Sequence, residues 1–349
     1  MRGIVFKGDR QLELQTFPDP TPGPGEVVLE IKASGMCGSD LKFYRSANGE
    51  AMKALGFNSN ATVIAGHEPC GVIVAVGANV NPKQARIGQR VMVHHYRGCG
   101  ACPHCSTGWM QMCVEGVAEV YGVTGNGAHA PFMKCLASTV VQLPEELSFE
   151  TGAAISCGTG TAWGALQRLN LTGDQTIAIF GQGPVGLSAT QLAVALGARV
   201  IALDVSEERL AQALRLGAHE VLNPTKVDVV DAIKGLTQGL GVHAAIDASS
   251  SSEARRQAVQ SVRSWGKVCL VGEGGEIKLD VSPDLLRRQV TLMGSWTFST
   301  VGQAECAQFI ASRGVEVEAL FTDRWKLDQA EQAYELFDQQ TSGKGVFLL

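Results

Sequence analysis

Residues 176 to 186 read TIAIFGQGPVG: a short apolar run, then Gly181, Gly183 and Gly186 in G-x-G-x-x-G spacing, running on into PVGLSATQLAVALG. In that last stretch Val185, Ala189, Leu192 and Leu196 recur at helical spacing and give one apolar face. The glycine spacing alone is a weak signal. Placed after a strand and before a helix, and followed by Asp204 at the end of the next apolar run, RVIALD, it is specific for a dinucleotide-binding turn. The helix beginning at Pro184 offers its free N–H groups to a pyrophosphate. Asp204 would accept hydrogen bonds from an adenosine ribose and repel a 2′-phosphate, so NAD is the expected cofactor. Asp204 also reads as an N-cap for the helix starting near Ser206. Further apolar runs, EVLN, HAAIDAS, GKVCLVG and VTLMGS, alternate with helix-like segments. That alternation predicts an α/β fold with a doubly wound parallel sheet.

A chain of 349 residues accommodates two domains of ordinary size. Its net charge of -5 argues against nucleic acid as a partner. No apolar run approaches the length of a membrane span. The opening MRGIVFKGDRQLELQ alternates like a strand and lacks the apolar centre of a signal peptide, so a soluble cytoplasmic protein is expected. In that setting ten cysteines point to metal more than to a disulfide framework. The first 155 residues read as mostly β: short apolar runs separated by turns such as PTPGPGE, as in a barrel or sandwich.

Three stretches carry ligand chemistry. CGACPHCSTGWMQMC places Cys99, Cys102, Cys105 and Cys113 in C-x2-C-x2-C-x7-C spacing. Four thiolates converging on one tetrahedral zinc leave no open position, so this site is structural. An iron–sulfur cluster often has a Pro after its last Cys, and here Val114 follows; a nucleic-acid finger would need a basic helix. IAGHEPCGVIVAVG offers His67, Glu68 and Cys70 among glycines that allow tight turning and close packing. Upstream, Cys37, Ser39 and Asp40 read as a ligand, a hydroxyl beside it and a carboxylate that orients His67, or as a buried Cys before a Ser/Asp helix cap. Downstream, Cys157 opens a helix-like segment and is either a ligand or a small core residue. His94 and His95 read as strand residues at the domain surface, and His129 as structural. The segment 45 to 61, RSANGEAMKALGFNSNA, has no period and is expected to be a loop beside the metal.

The His-Glu pair with its glycines, the four-cysteine lobe and the nucleotide turn together resemble the zinc-containing alcohol dehydrogenases of the medium-chain dehydrogenase/reductase family. The resemblance covers essentially the whole chain. It implies a mostly β, GroES-like catalytic domain over 1–155 and 297–349, a zinc lobe at about 95–115, and a Rossmann NAD-binding domain over 156–296. It implies one catalytic and one structural zinc per subunit. Cys37, His67 and Cys157 would hold the catalytic ion, with Glu68 as an alternate fourth ligand and Ser39 as the first member of a proton relay. Pro184, Val185 and Val271 would lie near the cofactor. Arg209 would be a cation beside the ribose, or simply an exposed helix charge. The next relay position, often His in the family, is Lys42 here. The position of His95 falls in the family's substrate pocket. A Cys at 157, where polyol and threonine dehydrogenases commonly have Glu, leans toward a primary or secondary alcohol as substrate. A polyol, sugar-alcohol or hydroxy-amino-acid dehydrogenase, or a non-catalytic nucleotide-binding zinc protein, are the alternatives. A homo-oligomer, tetramer or dimer, is also implied.

Overall fold

The computed structural model describes residues 1–47, 50, 62–339 and 343–349. Two compact units divide them. One holds Met1–Gly160 with the C-terminal portion from Phe298, and the other holds Thr161–Thr297. The division falls after Gly160, not at 155, so Cys157 shares a unit with Cys37 and His67. The segment expected as a loop at 45 to 61 lies mostly outside the described residues.

The second unit carries a six-stranded parallel sheet in the order Glu220–Leu222, Arg199–Leu203, Thr176–Phe180, Val242–Asp247, Val262–Leu270, Thr291–Gly294. Counted along the chain this is 3-2-1-4-5-6, the doubly wound order that reverses at the first strand. Ile177, Ala178, Ile179 and Phe180 are all buried, as are Val200 to Leu203. Such unbroken apolar runs reflect strands covered on both faces, where alternation would leave polar groups buried.

In the first unit, strand Glu26–Gly35 is the centre of a seven-stranded, largely antiparallel sheet. It pairs with Pro69–Val76, Phe132–Leu136 and Lys344–Leu348. The core between them is built from Val27, Leu29, Ile31, Ile73, Val91 and Val93. Register then decides what meets at the strand end. Ser34 lies opposite Pro69 on one side and Phe347 on the other. Cys37, just past Gly35, is therefore carried to the start of the strand that His67 and Glu68 precede, and Lys344 arrives from the third strand. This unit is not purely β. A helix Asp40–Arg45 follows Cys37, and another, Phe149–Ile155, is capped by Ser148, whose hydroxyl accepts from Thr151 N–H.

Candidate functional site

Ligand-type atoms of Cys37, His67, Glu68 and Cys157 all lie within 4.8 Å of one another. The Sγ atoms of Cys37 and Cys157 are 3.9 Å apart. Two thiolates on one tetrahedral zinc, at Zn–S of about 2.3 Å, would be separated by about 3.8 Å. The donor set and its spacing therefore fit zinc.

Each member is placed by its local chain. Cys157 sits between the helices Phe149–Ile155 and Gly158–Leu169 and does not begin a helix itself. Its neighbour Ser156 donates from Oγ to Pro69 O at 2.8 Å, tying that corner to the strand after Glu68. Gly66, before His67, has φ +92, and a Cβ there would lie 2.4 Å from His129 Nδ1. Only glycine fits both constraints. Ser39 takes the helix N-cap position without a side-chain cap bond. Its Oγ lies instead 3.3 Å from Cys37 Sγ and 3.2 Å from His67 Nε2. Asp40 is buried; its Oδ1 is 3.0 Å from His67 Nδ1, and its Oδ2 accepts from Cys37 N–H at 2.9 Å. The Ser/Asp helix cap is thus replaced by contacts within the site. Cys70 is buried in the strand, outside the convergent set, with its thiol pushed well up by burial.

Glu68 and Lys344 form an ion pair, Oε2 to Nζ at 2.5 Å, with both side chains buried. Burial pushes the Glu68 carboxyl up to about 8, while Lys344 pulls it down. Burial opposes charge on Lys344, but Glu68 and Cys37 outweigh it and raise its pKa. Lys344 Nζ also donates to Met36 O at 3.0 Å. Sequence reasoning missed this lysine; the signal was a charged residue opening the otherwise apolar ending GVFLL. The Cys157 hydrogen bond holds the Cys37 thiol well below its usual range, against burial, and the same contact drives Cys157 the other way.

His94 and His95 are buried, not strand residues at a surface. His94 faces Phe298 O at 3.0 Å. His95 Nδ1 lies 3.1 Å from Ser156 O, and its ring meets that of His67 edge-on at 5.2 Å. Burial lowers His95 well below the normal histidine range, so it is neutral.

The lobe thiols also converge: Cys99, Cys102, Cys105 and Cys113 lie within 4.8 Å of one another, with Cys99–Cys105 and Cys102–Cys113 both at 4.0 Å. No disulfide joins any of the ten cysteines. The short helix Pro103–Ser106 is capped by the Cys102 sulfur, which accepts from Cys105 N–H. That geometry turns the thiols inward, and it too fits one zinc.

In the second unit, Gly181 has φ +88, and a Cβ on Gly186 would lie 1.8 Å from Gly181 O. A Cβ on Gly183 would meet nothing within 4 Å, so this side of the turn is open. Helix Pro184–Ala195 starts with Gly183 at the N-cap and no side chain bonded to its first N–H groups. Buried Gln182 pins the turn, accepting from Thr190 Oγ1 at 2.9 Å and donating to Ile179 O at 2.9 Å. Asp204 does not cap the following helix; Ser206 does. The Asp204 carboxylate accepts from Gln182 N–H at 2.6 Å and Ser206 N–H at 2.9 Å, and Arg209 Nη1 lies 3.9 Å from it. An open, uncapped helix start beside a fixed carboxylate fits a dinucleotide pyrophosphate and ribose. Val271 N–H donates to Asp247 O at 2.9 Å, and Asp247 holds Arg255 through Oδ2 at 2.9 Å. Neither Asp247 nor Arg255 was singled out from sequence, because their pairing is made only in the folded unit.

An alcohol dehydrogenase GroES-like domain model matches residues 23–145, and a zinc-binding dehydrogenase model matches 184–312. The uncharacterised zinc-type alcohol dehydrogenase-like protein YphC of Escherichia coli is 36% identical over 99% of this chain and 98% of its own. The sorbitol dehydrogenase of Bacillus subtilis is 33% identical over 96% of this chain and 93% of its own. The structure of acetophenone reductase from Geotrichum candidum in complex with NAD superposes with a TM-score of 0.83 at 27% identity, covering 100% of this chain and 97% of that one. No helix among the described residues is long and apolar enough to cross a membrane.

Proposed function

The chain belongs to the zinc-dependent alcohol dehydrogenases of the medium-chain dehydrogenase/reductase family, and on that premise we propose that it transfers hydride reversibly between a primary or secondary alcohol and NAD+, giving an aldehyde or ketone and NADH. The observation that carries this reading is the convergence of Cys37, His67 and Cys157 with the Ser39 hydroxyl against two of them. Zinc bound there would supply Lewis-acid polarisation of the substrate oxygen, and NAD+ would supply the hydride acceptor. The rest is the work of the chain. Ser39 can accept the substrate proton and pass one on, since a hydroxyl is both donor and acceptor. Asp40 Oδ1, 3.0 Å from His67 Nδ1, favours a proton there and so leaves Nε2 for the metal. Two thiolates and a neutral imidazole offset a dication, which favours a neutral substrate. In the nucleotide turn, Asp204 would accept the ribose hydroxyls and disfavour a 2′-phosphate.

A polyol as substrate is the second reading, favoured by the similarity to a sorbitol dehydrogenase. Cys157 speaks for the simpler alcohol. The test is NADH absorbance with zinc-loaded protein across primary, secondary and polyhydric alcohols. Turnover confined to polyols would favour the second reading, and no alcohol-dependent NADH would overturn both.

A further inference from the structure

The polar contacts behind His67 do not end at Asp40, whose Oδ1 lies 3.0 Å from His67 Nδ1. The phenol of Tyr334 donates to Asp40 Oδ2 at 3.1 Å. Its oxygen lies 2.8 Å from His129 Nε2. His129 Nδ1 lies 2.7 Å from Ser34 Oγ. All five side chains, Ser34, His129, Tyr334, Asp40 and His67, are buried. The chain spans the unit: Ser34 is on the central strand, His129 precedes the strand Phe132–Leu136, and Tyr334 comes from the C-terminal helix Ala330–Asp338.

Donor and acceptor capacity fixes the direction of every link. A carboxylate only accepts, so the Tyr334 O–H is directed at Asp40, and a proton on His67 Nδ1 is what Asp40 Oδ1, 3.0 Å away, would hold in place. With its proton committed, the Tyr334 oxygen must accept, and His129 must donate from Nε2. His129 Nδ1 is then the acceptor, and Ser34 donates to it. One assignment satisfies all four contacts, and it needs His129 neutral. Burial supplies that, lowering its pKa to about 4. His129 is itself held by backbone, its N–H donating to Ala65 O at 2.9 Å and its carbonyl accepting from Ile4 N–H at 3.0 Å. The Gly66 backbone gives its ring room.

We propose that Tyr334, His129 and Ser34 are positioning residues for the metal centre: a one-way hydrogen-bond chain that fixes Asp40 and, through it, the orientation and Nδ1–H tautomer of His67. The inference rests on the reading of Cys37, His67 and Cys157 as a zinc site. Partners behind a ligating histidine set its tautomer and basicity, and losing one typically costs about 10- to 100-fold in metal affinity. Tyr334→Phe keeps the ring and removes the one donor that joins the two halves. His129→Leu removes the donor to Tyr334, and His129→Gln retains a donor and an acceptor.

Zinc release from the two-zinc protein to a chromophoric chelator reads the effect, with the four-cysteine lobe as internal control. Tyr334→Phe and His129→Leu should release one zinc per chain about 10- to 100-fold faster and leave the other phase unchanged. His129→Gln should restore much of the wild-type rate. Histidine nitrogen NMR of the metal-free protein gives a readout independent of activity; it is taken at a pH high enough for His67 to be neutral, because burial lowers its pKa but Asp40 and Cys37 outweigh that and raise it. The wild type should show His67 as the single Nδ1–H tautomer, and Tyr334→Phe should show a mixture. Unchanged release of both zincs by Tyr334→Phe at unchanged melting temperature would overturn the proposal. So would a wild-type His67 carrying its proton on Nε2, even if every variant failed to fold. A protein that takes up two zincs with this tautomer yet turns over no alcohol would refute the proposed activity and leave the positioning chain standing. Zinc uptake by the lobe alone would refute both.

Discussion

Ser39 lies two residues after Cys37, and its hydroxyl touches both a thiol and the ligating edge of an imidazole. A hydroxyl so placed is the natural first acceptor for a substrate proton. Ser39→Ala is expected to lower kcat by about 10²-fold or more if general acid–base transfer is lost, with zinc content unchanged. Steady-state kinetics beside metal analysis checks it; a kcat within a few-fold of wild type would remove Ser39 from the proton path. A second residue-scale expectation concerns pH. Burial lowers His129 from its ordinary 6.5 to about 4. Between those values the unfolded chain binds a proton that the native state does not. The stability held by neutral His129 is therefore complete above about pH 6.5 and is lost as pH falls toward 4, by roughly 3 kcal/mol in all. Urea unfolding across that range should show a shallower loss in His129→Leu than in wild type, and parallel curves would contradict the assignment. Ser39, Asp40 and His67 were legible as a cluster from residue type and spacing. His129 and Lys344 were not, since nothing local distinguishes a buried histidine that bonds a distant tyrosine from one that merely fills space.

At the scale of elements, the strand–turn–helix from Thr176 to Ala195 was readable because its glycines, its apolar period and Asp204 agree with one another. The structure adds that buried Asp204 accepts from Gln182 N–H and so braces the turn. Asp204→Ala is expected to narrow the preference for NAD over NADP, and also to lower kcat/KM with both cofactors because the turn loses its brace. Specificity constants for the two cofactors decide this; an unaltered ratio would show that another residue sets the choice. A different kind of constraint governs the turn before His67. At Gly66 an added Cβ meets both a left-handed φ and the His129 ring. Gly66→Ala should cost at least about 1–3 kcal/mol, seen as a lowered melting temperature, and should also loosen the catalytic zinc. Helix and strand type followed from periodicity. The surface placement expected for His94 and His95 failed, because a two-residue polar interruption looks the same whether it faces water or a buried carbonyl.

For the molecule as a whole, two separate ligand sets imply two zinc ions per chain with different roles. Metal analysis of chelator-washed protein should approach two. Cys102→Ser should bring it to one and lower the melting temperature while leaving the hydride step, measured on the surviving folded fraction, largely intact. The reason is that the lobe cysteines span Cys99 to Cys113 and share no side chain with Cys37, His67 or Cys157. Equal loss of activity and stability would instead mean that the lobe supports the catalytic centre directly.

The sequence by itself determined the parts whose information is local. These are the nucleotide turn, because adjacent residues make it; the lobe, because its four thiols lie within fifteen residues of chain; and the β and α/β character of the two halves, because periodicity is a short-range signal. The family resemblance named Cys37, His67 and Cys157 as ligands, but tertiary structure alone decided how they meet and what stands behind them. Cys37 and Cys157 are 120 positions apart, and Tyr334 lies 294 positions from the carboxylate it supports. Their meeting depends on strand register, on Ser34 standing opposite both Pro69 and Phe347, and on the cost of leaving buried polar groups without partners. Register and burial are properties of the assembled sheet, and no stretch of the chain carries them alone.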